Sequence, residues 1–200
     1  LAQKGVTLIV TVDTGITAID EIKHAQEIGI DVVVTDHHEC RDELPDACAV
    51  VNPHRKDSEY PLRELAGVGV AFKLITAMEM LRLGDKNAAI RNVYEKYADL
   101  VTLGTIADVM PMVDENRNII HFGLLKIKKN PRPGIRALLE KAGTSPAKCG
   151  TTSISFGVAP RINAAGRIKE ASTAVELLLS KDKEPAEPIA KTLCDIKHER

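Results

Sequence analysis

The chain has few aromatic residues, no tryptophan and almost no net charge. Phe, Trp and Tyr make up 3% of its 200 residues, whereas hydrophobic residues make up 44%. The core must therefore be aliphatic, and the chain is long enough for one domain to bury it. The formal net charge of −1 gives no whole-chain sign of a nucleic-acid-binding protein. No stretch reaches the roughly 18 apolar residues of a membrane span, so we expect no membrane contact.

Cysteines are also scarce, and their spacing is uninformative. The four lie at Cys40, Cys48, Cys149 and Cys194, with no CxxC pair. This spacing favours neither a zinc knuckle nor a disulfide framework. Cys40 lies two residues past His38, but a role as a metal ligand is the weaker alternative. We expect reduced thiols in a cytoplasmic protein.

The most informative segment that is present is VVVTDHH, residues 32–38. A short apolar run of β-branched residues is typical of a buried parallel strand, and ligands bind at the carboxyl ends of such strands. Here the run ends in Asp36, His37 and His38. A carboxylate and two imidazoles at that place indicate a metal and phosphate site. The alternative is a chance pair of histidines on an exposed turn.

A second strand with a similar end precedes this segment. Residues 6–12 alternate in polarity and lead into Asp13, and a helix over about residues 18–28 follows, ended by Gly29. Strand, helix and strand form a βαβ unit, so the two strands are parallel and end at one edge of the sheet. We therefore expect Asp13 to lie close to Asp36, His37 and His38.

A third acid, Asp108, is the single charge in the apolar segment 100–111. Taken alone, it is most simply an aspartate at a helix C-terminus or in a turn. Together with the other two segments, a functional role for Asp108 gains support.

Three motifs in this order resemble those of the DHH phosphoesterases: VDTGI (12–16), TDHH (35–38) and GTIAD (104–108). Two further segments, LAGVGVAFK (65–73) and APRINAAGR (159–167), are similar to the RecJ branch of that family, the single-strand-specific 5′→3′ DNA exonucleases. The resemblance implies an α/β fold with a Rossmann-like parallel sheet, followed by a mainly helical portion.

The resemblance also implies a division of the chain. Residues 1–184 would be a partial DHH catalytic core, with a parallel α/β part (1–110) and a mainly helical part (111–184). Residues 185–200 would begin an inter-domain connecting helix. Helical patterns cover the following stretches: 67–83, 87–97, 118–128, 133–142 and 171–180.

Two family features have no counterpart in this sequence. The aspartate-rich first motif and the glycine-rich run of the C-terminal associated domain are both missing from the 200 residues. We therefore expect a piece of a longer protein, nearly inactive by itself, with a strand at residues 6–12 whose edge lacks a partner.

By the same resemblance, two Mn²⁺ or Mg²⁺ ions would be bound. Asp13 would bridge them, and His37 and Asp108 would complete the ligands of one ion, while the missing motif would supply most ligands of the other. His38 would face the substrate and stabilise developing charge. Asp36 would orient the histidines rather than bind metal.

Arginines in the second RecJ-like segment are the candidates for binding nucleic-acid phosphates. Arg161 and Arg167 flank small residues that let a ligand approach, and arginine binds phosphate through two nitrogens. We expect both guanidinium groups to be exposed, with Asn163 between them; the alternative is structural salt bridges. The other basic stretch, residues 126–136, is predicted to be a solvated helix side.

The predicted function is metal-dependent phosphodiester hydrolysis in a 5′→3′ exonuclease of DNA repair and recombination that acts on single-stranded DNA. One alternative is a DHH phosphodiesterase of cyclic dinucleotides or short oligonucleotides. Another is a non-catalytic replication scaffold, although such relatives lose metal ligands that are present here. The sequence does not identify protein partners.

Overall fold

The computed structural model describes residues 1–168 and 171–198, with the side chains of residues 167–168 and 196–198 excluded. The chain divides into two compact units. The first contains residues 1–93 and 113–116, and the second contains residues 94–112 and those from 117 onward.

The first unit is built on a parallel three-stranded sheet in the order β1-β2-β3. The strands are β1 (Leu8–Val12), β2 (Asp31–Thr35) and β3 (Ala49–Val51). Val12 pairs with Thr35, and Thr35 pairs with Val51. The three strands therefore end at the same level, as the βαβ prediction requires.

Helix α1 (Ile19–Glu27) connects β1 to β2 and covers the sheet. Its Ile22 and Ala25 pack with Ile30, Val32 and Val34 in one buried cluster. The β-branched run that predicted a buried strand is thus the core of this unit, and the parallel α/β architecture is confirmed.

Strand β1 lies at the end of the sheet and, among the described residues, pairs with β2 alone. Ile9 packs against the buried cluster, whereas Leu8, Val10 and Val12 are 45–52% exposed. Alternate side chains of β1 are therefore exposed.

Helix α2 (Gly67–Leu83) has the predicted bounds and contacts both β1 and β2. It ends at Gly84, whose φ of 67° is the left-handed conformation that glycine adopts most easily. Its first residue, Gly67, lies beside Asp13.

The helices after α2 are α3 (Lys86–Ala107), α4 (Asp114–Lys129), α5 (Pro133–Lys141), α6 (Ala159–Ile168), α7 (Ser172–Leu179) and α8 (Lys183–His198). A π-helical segment, Ser153–Val158, leads directly into α6. In the second unit, α8 packs against α5, α6 and α7, and its Ala186, Ala190 and Leu193 are fully buried.

Helix α3 corrects the sequence prediction, which ended a helix at residue 97 and treated residues 100–111 separately. The helix continues to Ala107, and Ala98, Val101 and Thr105 lie on a buried stripe at helical spacing. The small-residue segment is therefore a buried helix.

The basic stretch at residues 126–136 is also only partly a solvated helix side. The Asp99 carboxylate is fully buried and accepts hydrogen bonds at 2.9 Å from both Lys126 and Arg132. Because a buried carboxylate needs paired cations, these two side chains contribute to the packing of the second unit.

The domain division predicted at residue 110 and the connecting helix predicted at residues 185–200 stay predictions. None of the described helices combines the length and apolar character needed to cross a membrane.

We expect Leu138→Ala to lower the free energy of unfolding by about 2–5 kcal/mol, because Leu138 is fully buried in the core of the second unit. Urea unfolding followed by circular dichroism measures this change. Leu81→Ala is the control, since Leu81 is 87% exposed and its truncation should change stability by less than about 0.5 kcal/mol. Equal losses in the two variants would contradict this packing of Leu138.

Candidate metal centre

Asp13, His37 and His38 form a cluster at the carboxyl ends of β1 and β2. One potential ligand atom from each of the three side chains lies within 4.8 Å of the others. The Asp13 Oδ1 atom is 3.0 Å from Nε2 of His37. The convergence predicted from the shared sheet edge is thus present for these residues.

The chemistry of this cluster suits a divalent cation. Carboxylate oxygen is a preferred ligand of Mg²⁺ and Mn²⁺, and imidazole binds many transition metals. Two ligand atoms about 2.1 Å from one ion, at right angles to each other, are about 3.0 Å apart. The observed separation of Asp13 and His37 therefore fits neighbouring positions around one ion.

The backbone at Asp13 is held in an unusual conformation. Its φ of 63° is left-handed, a region that aspartate tolerates better than most residues. The Asp13 N–H donates to the carbonyl of Thr35 at 3.0 Å, so the strand pairing continues one residue past β1. Strain of this kind is common at functional sites and fixes the direction of the side chain.

Asp36 is almost fully buried and ties the two strand-end loops together. Its Oδ2 accepts the N–H of Ile16 at 2.9 Å, from the loop after β1. Its Oδ1 accepts a hydrogen bond from the N–H of His37 at 2.8 Å. The same oxygen lies 2.7 Å from Nδ1 of the His38 ring, within hydrogen-bond distance. Asp36 thus contacts both strand-end loops, and its orienting role stays a prediction.

These hydrogen bonds determine the charge of Asp36. Burial by itself raises the pKa of the carboxyl, but the hydrogen bonds from Ile16, from the His38 ring and from the His37 and His38 amides outweigh it. The pKa of Asp36 is therefore held below its usual value, and the side chain is ionised at neutral pH.

The contact with Asp36 also determines the proton position on His38. An ionised carboxylate only accepts, so Nδ1 of His38 carries a proton and Nε2 becomes the nitrogen that can bind a metal or, when protonated, donate to a phosphate oxygen. The His38 side chain is 58% exposed, whereas that of His37 is 9% exposed. His37 is thus the inner and His38 the outer histidine.

Asn52 was not among the predicted site residues, although it supports the site. Its Nδ2 donates to the carbonyl of His38 at 2.9 Å, and its Oδ1 accepts the N–H of His54 at 2.8 Å. The signal in the sequence was its place directly after β3, at the same edge as Asp13 and Asp36.

Asp108 belongs to the second unit and directly follows α3. The N–H of Val109 donates to the carbonyl of Ile106, and that of Met110 donates to the carbonyl of Thr105, which makes Asp108 the C-cap of a Schellman motif. Val109 adopts a φ of 58°, which is rare for a β-branched residue. The convergence of Asp108 with the cluster stays a prediction.

Arg161 contradicts the expectation of an exposed guanidinium. The residue is 7% exposed, its Nε donates to Sγ of Cys194 at 3.0 Å, and its Nη1 donates to the carbonyl of Gly157. The motif is helical, and the position of Arg161 in α6 turns its side chain toward α8. Its small neighbours Ala164 and Ala165 are likewise buried.

The other two phosphate-binding candidates differ from Arg161. Asn163 is exposed on α6, and its predicted role stays a prediction. The side chain of Arg167 lies outside the described residues.

Comparison with known proteins identifies a family that matches this chain. Residues 2–105 match the DHH family, N-terminal domain. The chain is 42% identical over 200 residues to the single-stranded-DNA-specific exonuclease RecJ of Bacillus subtilis (strain 168), covering 100% of the chain and 24% of that protein. It is 45% identical over 182 residues to RecJ of Escherichia coli (strain K12), covering 88% of the chain and 31% of that protein.

Solved structures give the same result. A crystal structure of exonuclease RecJ bound to manganese has a TM-score of 0.81 and 37% identity, over 96% of this chain and 47% of the other. RecJ from Thermus thermophilus in complex with Mn²⁺ has a TM-score of 0.81 and 36% identity, over 96% and 28% of the two chains. The chain thus spans less than half the length of each of these relatives.

We expect Asp36→Asn to lower the free energy of unfolding by about 2 kcal/mol near neutral pH, because an amide cannot accept all the hydrogen bonds that the carboxylate accepts. The folded pKa lies below the usual value of 3.8, so the contribution of the carboxylate is complete above about pH 3.8 and is lost as the pH falls through the folded pKa.

The difference in unfolding free energy between the wild type and Asp36→Asn should therefore shrink as the pH falls below about 3.8. Asp42→Asn is the matched control, because the Asp42 side chain is fully exposed. A difference that stays constant or grows below pH 3.8 would contradict the ionised state of Asp36.

Proposed function

The chain belongs to the DHH family, and from that premise we propose that the protein containing it hydrolyses phosphodiester bonds of single-stranded DNA as a metal-dependent 5′→3′ exonuclease of DNA repair and recombination. The observation that carries this proposal is the Asp13–His37–His38 cluster at the sheet edge. The RecJ relatives, whose names state activity on single-stranded DNA, support the substrate class.

We assign the metal-binding role to Asp13 and His37, which already lie 3.0 Å apart, and to Asp108. The segment GTIAD (104–108), which resembles a DHH motif, supports the assignment of Asp108.

The proposed centre holds two ions, Mn²⁺ or Mg²⁺. Asp13, His37 and Asp108 offer three ligand side chains, whereas two octahedral ions need more. We infer that further ligands come from outside this chain, so the 200 residues alone bind metal weakly and turn over slowly.

When bound, the ions supply an activated water and neutralise the phosphate oxygens. The residues of this chain then have separate tasks. His38 donates from Nε2 to a phosphate oxygen and stabilises the charge that develops there. Asp36 keeps the proton on Nδ1 of His38 and holds both histidines in place through their backbone amides. Asn163 and Arg167 contact the phosphates of the strand.

We expect Asp13→Ala and Asp108→Ala each to weaken Mn²⁺ binding by more than about tenfold, since each removes a charged ligand. Electron paramagnetic resonance titration with Mn²⁺ measures the free ion directly. Asp42→Ala, which removes a fully exposed carboxylate, should leave the affinity unchanged. If Asp108→Ala binds Mn²⁺ with the affinity of the wild type, Asp108 is not a ligand of the metal centre.

The function itself is tested with the longer protein that contains this chain, supplied with Mn²⁺ and three substrates: 5′-phosphorylated single-stranded DNA, the same DNA as a duplex, and a cyclic dinucleotide. We expect mononucleotide release from the single strand, and loss of more than about a hundredfold in His38→Ala. Preference for the cyclic dinucleotide would identify a phosphodiesterase of that class. Metal binding without hydrolysis of any substrate would contradict catalysis and favour a scaffold.

A further inference from the structure

The first residue of α2 is packed against the side chain of Asp13. A β-carbon added at Gly67 would lie 2.5 Å from Cβ of Asp13 and 2.6 Å from its Cγ, and would also overlap its Oδ1 atom. These are the three nearest atoms, and all belong to Asp13. Gly67 is buried and its φ is not left-handed. Glycine is therefore needed here for its lack of a side chain and not for its backbone freedom.

Asp13 has little freedom to move away from Gly67. Its backbone is fixed by the left-handed φ and by the hydrogen bond to the carbonyl of Thr35. Its carboxylate is 3.0 Å from Nε2 of His37. A methyl group at residue 67 would overlap Cβ as well as the carboxylate of Asp13, so the whole side chain would have to shift and the carboxylate would move away from His37.

We propose that Gly67 is a positioning residue of the metal centre: the absence of a side chain at the start of α2 creates the space in which the Asp13 carboxylate is held against His37. This proposal rests on the proposed metal-dependent function and adds a residue to it. The position at the positive end of α2 also favours the negative charge of the carboxylate.

Gly69, two residues further along α2, provides a matched control. A β-carbon there would meet Cδ2 of Leu65 at 3.3 Å, the far end of a flexible side chain that can shift. Alanine is a better helix former than glycine at both positions. A general effect of adding a methyl group to this helix should therefore be the same in Gly67→Ala and Gly69→Ala.

The experiment compares Mn²⁺ affinity and the Mn²⁺ dependence of nuclease activity in the wild type, Gly67→Ala and Gly69→Ala, using the longer protein. We expect Gly67→Ala to bind Mn²⁺ at least tenfold more weakly and to regain part of its activity at high Mn²⁺, with Gly69→Ala within twofold of the wild type. A purely structural role for Gly67 would not change the Mn²⁺ dependence. Equal Mn²⁺ affinity in Gly67→Ala and the wild type would overturn the proposal.

A double-mutant cycle with Asp13→Gly tests the contact itself, and glycine suits the left-handed φ at that position. Gly67→Ala should lower the melting temperature in the wild-type background and leave it equal or higher in the Asp13→Gly background, where the overlapping atoms are absent. If Gly67→Ala fails to fold, Asp13→Gly/Gly67→Ala should fold; failure of both would place the clash elsewhere and overturn the proposal.

The failure of the proposed function is distinguishable from the failure of this proposal. A wild type that neither binds Mn²⁺ nor cleaves DNA contradicts the function, and Gly67 then has no metal centre to position. A wild type that does both, beside a Gly67→Ala variant with the same Mn²⁺ dependence, contradicts the role of Gly67 alone.

Discussion

The site depends on one buried carboxylate. Asp36 accepts hydrogen bonds from Ile16 in the loop after β1 and from His37 and His38 in its own loop, so a single side chain fixes two loops that the sheet only brings near each other. Since each acceptor oxygen is used and the group is ionised, an apolar or neutral residue would leave amide donors unpaired. The orientation of both histidines follows from this arrangement.

The sheet supplies the second constraint. Parallel pairing in register ends β1, β2 and β3 at one level, so Asp13, Asp36 and Asn52 each come directly after a strand and meet at one edge. Hydrogen bonds to the backbone, in addition to contacts among the side chains, hold the polar groups at this edge in place. A centre built in this way is preorganised before a ligand arrives, which is the condition for effective charge stabilisation.

Much of this arrangement could be predicted from the sequence, because strand ends and β-branched runs are local signals. The parallel strands, α2 and the meeting of Asp13 with His37 and His38 required only such signals. Arg161 could not be placed, because its exposure depends on the helical phase of α6 and on Cys194, far along the chain. The length of α3 was missed because the same apolar segment fits a buried helix or a strand, and only tertiary packing decides. The contact of Gly67 with Asp13 joins two elements that no local pattern connects.

The end of α3 carries backbone strain that a different residue would avoid. Val109 occupies the left-handed position of the Schellman motif, where glycine or asparagine would be less strained. The neighbouring Asp108 is carried in the direction that this turn imposes. A protein engineer who selects only for heat resistance would be drawn to this valine, since glycine or asparagine here would relieve strain without touching the core. Because the hydrogen bonds of this turn come from the backbone, either substitution would keep them, and heat resistance would rise without a change in the course of the chain at Asp108.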